Sequence, residues 1–179
     1  AALRLAVVAA SATELDTRLD LAQQKIVAAP TSSFQLPDGT SYGVGAPDGA
    51  LALLFPGQGS QYASMGAAAA MQFDAARAVW DRAADLGIHD IAFGRSGDEL
   101  TRTENAQPAL GLTSIALLAV LRELGVDGAM AAGHSFGEIV ALHAAGVVTE
   151  ADALRIARRR GELMRDAAAS GDGAMCALA

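Results

Sequence analysis

The sequence predicts an α/β fold built on a parallel sheet, and three observations carry that expectation. Two short apolar runs, ALALLF at 50–55 and AMAA at 129–132, have strand length, and each is followed at once by a small-residue loop. Segments with helical periodicity lie between and after them. The first run is continuously rather than alternately apolar, as in a strand covered on both faces of a parallel sheet. The order strand, helix, strand, helix is that of an α/β domain.

Bulk composition narrows the function classes. A chain of 179 residues suffices for one domain, or one domain with a small attachment. Hydrophobic residues make up 52% and aromatics only 4%, so the core is expected to consist of small aliphatic side chains. A net charge of −7 argues against nucleic acid or an anionic membrane as a general partner. Cys176 is the single cysteine, which excludes an internal disulfide and fits a reducing compartment; it reads as a small core residue. No apolar run reaches the roughly 18 residues of a spanning helix. The N-terminal stretch lacks the pattern of a signal peptide, so the expected location is cytoplasmic. No Cys/His cluster suggests a metal, and no G-x-G-x-x-G fingerprint suggests a nucleotide.

The elements follow in order. LRLAVVA at 3–9 reads as a strand. Ser11 and Glu14 have capping-box spacing, and Leu15, Leu19, Ala22 and Ile26 form one apolar stripe of a helix that Pro30 ends. Residues 31–50, rich in Gly, Pro and Ser, read as an irregular connector with a Pro-Asp-Gly turn. This strand–helix unit is expected to be an appendage to a domain beginning near Ala50. After ALALLF comes the loop PGQGSQ, then a helical pattern over 67–86 with Met71, Ala75, Ala78 and Val79 on one side. Residues 94–107 are polar and read as a loop, with Pro108 at the first position of a buried helix that Gly125 ends. GHSFGE at 133–138 precedes the apolar helix IVALHAAGVV. Thr149 and Asp152 have capping spacing for a last helix over about 150–168, and GAMCALA reads as the start of another strand. Ligands of such sheets sit at the carboxyl ends of the strands, so PGQGSQ and GHSFGE are expected to be neighbours.

GHSFG has the G-x-S-x-G pattern of a serine nucleophile held on a sharp strand-to-helix turn. In that setting Ser135 Oγ faces outward, and the backbone N–H of Phe136 lies at a helix N-terminus that favours an oxyanion. A second donor is needed, and the backbone N–H of Gln58 is a candidate. A proton acceptor is missing. Of the three histidines, His134 adjoins Ser135 and leaves the turn in another direction. His143 is roughly 12 Å further along the helix at 1.5 Å per residue. Nothing places His89 at the site. Either the base comes from residues after Ala179, or the serine is not a nucleophile.

The last helix carries Arg155, Arg158, Arg159, Arg160 and Arg165. Ala153, Ile156, Ala157 and Met164 define its apolar face on a 100° wheel. Arg160 points into that face, and the other four point away into solvent. A guanidinium so placed needs a partner. It is either a structural pair with a carboxylate such as Glu138, or a fork for an anionic substrate group.

Three segments together, FPGQGSQ (55–61), TENAQPAL (103–110) and GHSFGE (133–138), resemble the malonyl-CoA:acyl carrier protein transacylase family. That family includes the acyltransferase domains of modular and iterative type I polyketide and polyunsaturated fatty acid synthases. Its arginine follows the serine by 25 positions, which is Arg160 here; RRRGELM and GDGAMCALA also resemble its continuation. The YG near residue 42 followed by FPGQGSQY resembles iterative synthases of the polyunsaturated or enediyne type.

The resemblance covers roughly 50–179 and carries several implications. Residues 1–49 would be the linker that precedes an acyltransferase, 50–170 the core with its α/β-hydrolase-like parallel sheet, and 171–179 the first strand of an otherwise absent ferredoxin-like small subdomain. Ser135 would take a malonyl-type unit from coenzyme A as an ester. Arg160 would pair its free carboxylate. The N–H groups of Gln58 and Phe136 would form the oxyanion hole, Gln107 would line the pocket, and His134 would flank the nucleophile. The acyl group would then pass to the phosphopantetheine thiol of an acyl carrier protein, with no bound cofactor, beside neighbouring synthase domains such as a ketosynthase. The family's catalytic histidine lies in its second half, beyond residue 179. Two other classes compete: a serine hydrolase (esterase or thioesterase) with the same elbow, and a non-catalytic fragment of a synthase.

Overall fold

A computed structural model describes residues 3–46, 49–94 and 97–171. The chain divides into two compact units, residues 1–49 and 50–179.

In the first unit, β1 (Leu3–Ala6) precedes α1 (Ala12–Ala28). Ser11 Oγ accepts from Glu14 N at 3.2 Å, and the Glu14 carboxylate accepts from Ala10 N at 2.7 Å, so the capping spacing is realised. The connector over 31–50 is not irregular. It holds β2 (Phe34–Gln35) and β3 (Ser41–Val44), which complete an antiparallel sheet of order β1-β3-β2. Phe34 sits opposite Tyr42, with ring centroids 5.6 Å apart, and Asp38 Oδ1 accepts from Thr40 N to close the turn. A cross-strand aromatic pair stabilises a hairpin too short to show a period of its own. On α1 only Ala22 of the expected stripe is buried; Leu15 and Leu19 stay exposed. Strands of two to four residues cover little of a 17-residue helix.

The second unit contains β4 (Ala52–Phe55) and β5 (Met130–Gly133), paired in parallel with Phe55 opposite Gly133. The fold is mixed α/β, as expected. β4 is nevertheless not covered on both faces: Phe55 is buried, but Leu54 is 76% exposed. Among the described strands β4 has only β5 as a neighbour.

The helical segment over 67–86 is broken into α2 (Ala67–Gln72), α3 (Asp74–Arg82) and a 3-10 turn at Ala84–Leu86. Phe73, with extended backbone, makes the break and packs toward the core. The break rotates the buried side to Ala76, Val79 and Trp80, leaving Met71 exposed. α4 (His89–Phe93) follows, and the polar stretch over 94–107 read as a loop forms α5 (Gly97–Thr101) and the beginning of α6 (Thr103–Glu123). Pro108 therefore lies on the second turn of α6, not at its start. The polar residues before it serve the fold: Asn105 Nδ2 donates to Glu99 O, and Gln107 is fully buried.

α6 is the central helix, with Leu110, Leu112, Ile115, Leu118 and Val120 in the core. Gly125 ends it with φ +74°, and Val126 N donates to Leu121 O. α7 (Gly137–Ala144) follows β5, and α8 (Glu150–Ala169) packs along α6. Thr149 caps α8 by accepting from Asp152 N at 3.1 Å. On α8, Ala153 and Ala157 are buried, whereas Ile156 is more exposed than its wheel position implies. Arg158 is half-buried rather than solvated, because its guanidinium donates to the Leu86 carbonyl. The strand expected at 171–179, with Cys176, lies almost wholly outside the described residues.

Candidate active site

Two close approaches between β4 and β5 build the site. His134 N donates to Phe55 O at 3.1 Å, which extends the parallel pairing one step past the strand ends. Gly57 is buried against this turn: a Cβ there would lie 2.6 Å from His134 O. The loops PGQGSQ and GHSFGE are therefore in contact.

The glycines of GHSFG are fixed by the backbone. A Cβ on Gly133 would lie 2.1 Å from the carbonyl carbon of Gly137, and one on Gly137 would lie 2.2 Å from Phe55 O. Between them Ser135 has φ +54°. Among the described residues only Ser64 shares a positive φ without being glycine. Such a conformation costs on the order of 1–3 kcal/mol and persists only where the surroundings enforce it. Ser135 is exposed on this turn, while the neighbouring Phe136 side chain is buried and anchors the elbow against α6 beside Gly111.

The two backbone donors expected of an oxyanion hole, Gln58 N and Phe136 N, find no acceptor among the described residues. Gln58 is held by its side chain, with Nε2 donating to Thr103 Oγ1 at 3.0 Å and Oε1 accepting from Gln107 Nε2 at 3.3 Å. Gln107 Nε2 also reaches Met164 Sδ at 3.2 Å, and its Oε1 is buried without a donor. A buried acceptor left unpaired costs about 1–3 kcal/mol.

Arg160 reaches the same place from α8. Its Nη2 donates to Ser135 Oγ at 3.3 Å. Among the described residues it has no ion pair, and Glu138 does not approach it. The other arginines of α8 are occupied: Arg155 by Asp152, Arg158 by the Leu86 carbonyl, Arg159 by Glu162, and Arg165 by Asp166 and more distantly Glu104. Asp166 holds the Arg165 guanidinium above its ordinary pKa. Beside Arg160 the open face of α8 carries the apolar side chains Ile156, Leu163, Met164 and Ala167.

The histidines do not supply a base. His89 Nε2 pairs with Trp80 O at 2.9 Å, and His143 Nδ1 pairs with Val148 O at 3.2 Å. His134 lies against Gly57 and has no hydrogen bond to Ser135 among the described residues. No group of three metal-ligating side chains occurs among the described residues, and no helix there is long and apolar enough to cross a membrane.

The geometry brings together Ser135, Arg160, Gln58, Phe136, Gln107 and His134 from two helices, α6 and α8, and two loops. It adds Thr103, Met164 and Gly161, which sequence reading had not placed at the site. A glycine inside a helical pattern was the available signal for Gly161.

Residues 52–179 match the acyl transferase domain family. The chain belongs to the acyltransferase family. It is 44% identical over 131 residues to a malonyl CoA-acyl carrier protein transacylase of Bacillus subtilis, covering 72% of this chain and 41% of that protein. The chain thus spans about two fifths of the length of that relative. Among solved structures, the acyltransferase domain from the second module of the salinomycin polyketide synthase is 35% identical with TM-score 0.73, covering 91% of this chain and 38% of that one. A malonyl-transacylase solved in complex with a type II polyketide synthase acyl-carrier protein is 38% identical with TM-score 0.61, covering 65% of this chain and 39% of that one.

Proposed function

We propose that this acyltransferase region moves a malonyl-type unit from coenzyme A to an acyl carrier protein through a Ser135 ester. The observation that carries the reading is the Arg160 guanidinium, without an ion pair among the described residues, 3.3 Å from Oγ of a serine at φ +54°. A malonyl ester on Oγ extends one methylene beyond its carbonyl to a free carboxylate. A guanidinium fork already at Oγ suits that carboxylate, and among the described residues no other anion holds the group. Neutral esters would give Arg160 no partner, which disfavours a hydrolase of such substrates.

The step balances as two acyl exchanges. A base takes the Oγ proton as Oγ attacks the thioester carbonyl. Negative charge gathers on the carbonyl oxygen, where Gln58 N and Phe136 N serve as donors. The carbon–sulfur bond then breaks, and the coenzyme A thiolate leaves with the proton from the base. In the second half the carrier's phosphopantetheine thiol gives its proton to the base and attacks the ester carbonyl. The carbon–oxygen bond breaks, and Oγ recovers a proton. His134 lines the approach, while Gln107, expected to line the pocket, is fully buried and acts through its hydrogen bond to Gln58. The base is expected to be a histidine from the part of the relatives' length without a counterpart here. No cofactor is required, since the acyl thioester is itself the substrate.

Residues 1–49 read as the linker ahead of the acyltransferase, next to a domain such as a ketosynthase. The 91% coverage by the salinomycin synthase domain supports this, because it exceeds what residues 50–179 alone supply. A cytoplasmic location follows from the substrates. The test is transfer of labelled malonyl from malonyl-CoA to a holo carrier protein by the full-length protein. Transfer that is lost in Ser135→Ala is expected. Transfer retained in Ser135→Ala, or hydrolysis to free malonate without transfer, contradicts the reading.

A further inference from the structure

One residue touches both halves of the site. The hydroxyl of Thr103 accepts from Gln58 Nε2 at 3.0 Å, which tethers the loop that carries a proposed oxyanion donor. The carbonyl of the same residue marks the crossing of α6 and α8. A Cβ on Gly161 would lie 2.7 Å from Thr103 O and 2.8 Å from Glu104 Cα. Both are backbone atoms, so neither can swing aside. Gly161 directly follows Arg160, and Met164 lies one turn further. One turn along α6 from Thr103, Gln107 touches Gln58 and Met164 together. Glu104 and Arg165 add an ion pair at 3.9 Å across the same crossing.

A glycine in the middle of a 20-residue helix weakens that helix relative to alanine. Its presence at Gly161 is explained by the contact, since no larger residue lets α8 come this close to α6. The distance between the two helices there decides where Arg160 stands relative to Ser135.

We infer that Thr103 and Gly161 are positioning residues that set the separation between the oxyanion loop and the carboxylate-reading arginine. The inference rests on the acyl-transfer reading above. It separates two effects. Displacing α8 moves Arg160, which matters for a malonyl group and not for an acetyl group. Releasing Gln58 loosens a donor that serves every acyl group equally. A misplacement of about 1 Å in such a site can cost on the order of a hundredfold in rate.

The test is the rate of Ser135 acylation in the full-length protein, measured separately with malonyl-CoA and acetyl-CoA. Gly161→Ala is expected to lower the malonyl-to-acetyl rate ratio at least about tenfold. Thr103→Val, which keeps shape and removes the hydroxyl, is expected to lower both rates by a similar factor, mainly in kcat. Thr103→Ser is expected to restore them. An unchanged ratio in Gly161→Ala overturns the inference. Where Gly161→Ala does not fold, wild-type rates in Thr103→Val overturn it, and a shared loss rescued by serine sustains it. A wild-type protein acylated by neither thioester overturns the acyl-transfer reading as well. Normal wild-type acylation with both variants indistinguishable from it overturns the positioning claim alone.

Discussion

Arg160 donates to the hydroxyl of Ser135 across 3.3 Å, although the two stand on different helix–loop elements 25 positions apart. Of the α8 arginines, Arg155, Arg159 and Arg165 have carboxylate partners and Arg158 is turned to the Leu86 carbonyl, whereas Arg160 has no carboxylate partner among the described residues. A charged hydrogen bond to substrate is worth about 1.5–3 kcal/mol, or roughly ten- to a hundredfold in rate. Arg160→Ala in the full-length protein is therefore expected to cut malonyl loading by about that factor and acetyl loading by less than about threefold. Loading kinetics with the two thioesters check this. Equal losses would remove the carboxylate role from Arg160.

The elbow makes a stability prediction. Alanine at Gly133 places a methyl 2.1 Å from the Gly137 carbonyl carbon at the start of α7, and alanine at Gly137 places one 2.2 Å from Phe55 O of β4. Overpacking against mobile side chains costs about 1–3 kcal/mol, and here the obstacle is main chain. Either substitution is expected to lose at least about 3 kcal/mol in denaturant unfolding. A loss below about 1 kcal/mol would contradict the described turn.

The cap of α8 is a milder case. Thr149 Oγ1 accepts from Asp152 N, and removing such a cap costs about 1 kcal/mol. Thr149→Ala is expected to lower stability by that amount, while Thr149→Ser or Thr149→Asp stays near wild type. Equilibrium unfolding of the three variants decides it.

These cases show what was legible in the sequence. The elbow could be read because its glycines and serine are adjacent in sequence, and backbone sterics alone dictate them. Caps at Ser11 and Thr149 were legible for the same reason. Arg160 could be assigned to the site only through its face of the helix and its spacing from Ser135. Thr103 and Gly161 were not readable, since their contact depends on how closely two helices cross. The beginning of α6 was missed because Thr103, Glu104, Asn105 and Gln107 are polar, and polarity resembles a loop until their tertiary partners are known. The hairpin of β2 and β3 was missed because its stabilising pair, Phe34 and Tyr42, lies across the turn. The apolar run of β4 suggested two covered faces, and Leu54 is exposed instead.

Asp38 gives the first unit a pH dependence. Its carboxyl is held below the ordinary value chiefly by the Thr40 backbone N–H; desolvation opposes this, and Arg18 reinforces it. The folded state thus binds fewer protons than the unfolded one in acid. The contribution is complete above the unfolded carboxyl value, near 3.9, and is lost as pH falls through the folded value. The Thr40 amide resonance is expected to titrate with a midpoint below that of an unperturbed aspartate. In Asp38→Asn this titration is expected to vanish. A midpoint at or above the ordinary value would contradict the turn geometry.

The central claim is that Ser135 carries the acyl group. The most direct measurement is the intact mass of the full-length protein after incubation with malonyl-CoA, beside Ser135→Ala. The account predicts an added mass of one malonyl group, located by peptide mapping on Ser135 and absent from the variant. An unmodified wild-type protein, or an increment that survives in Ser135→Ala, would contradict it.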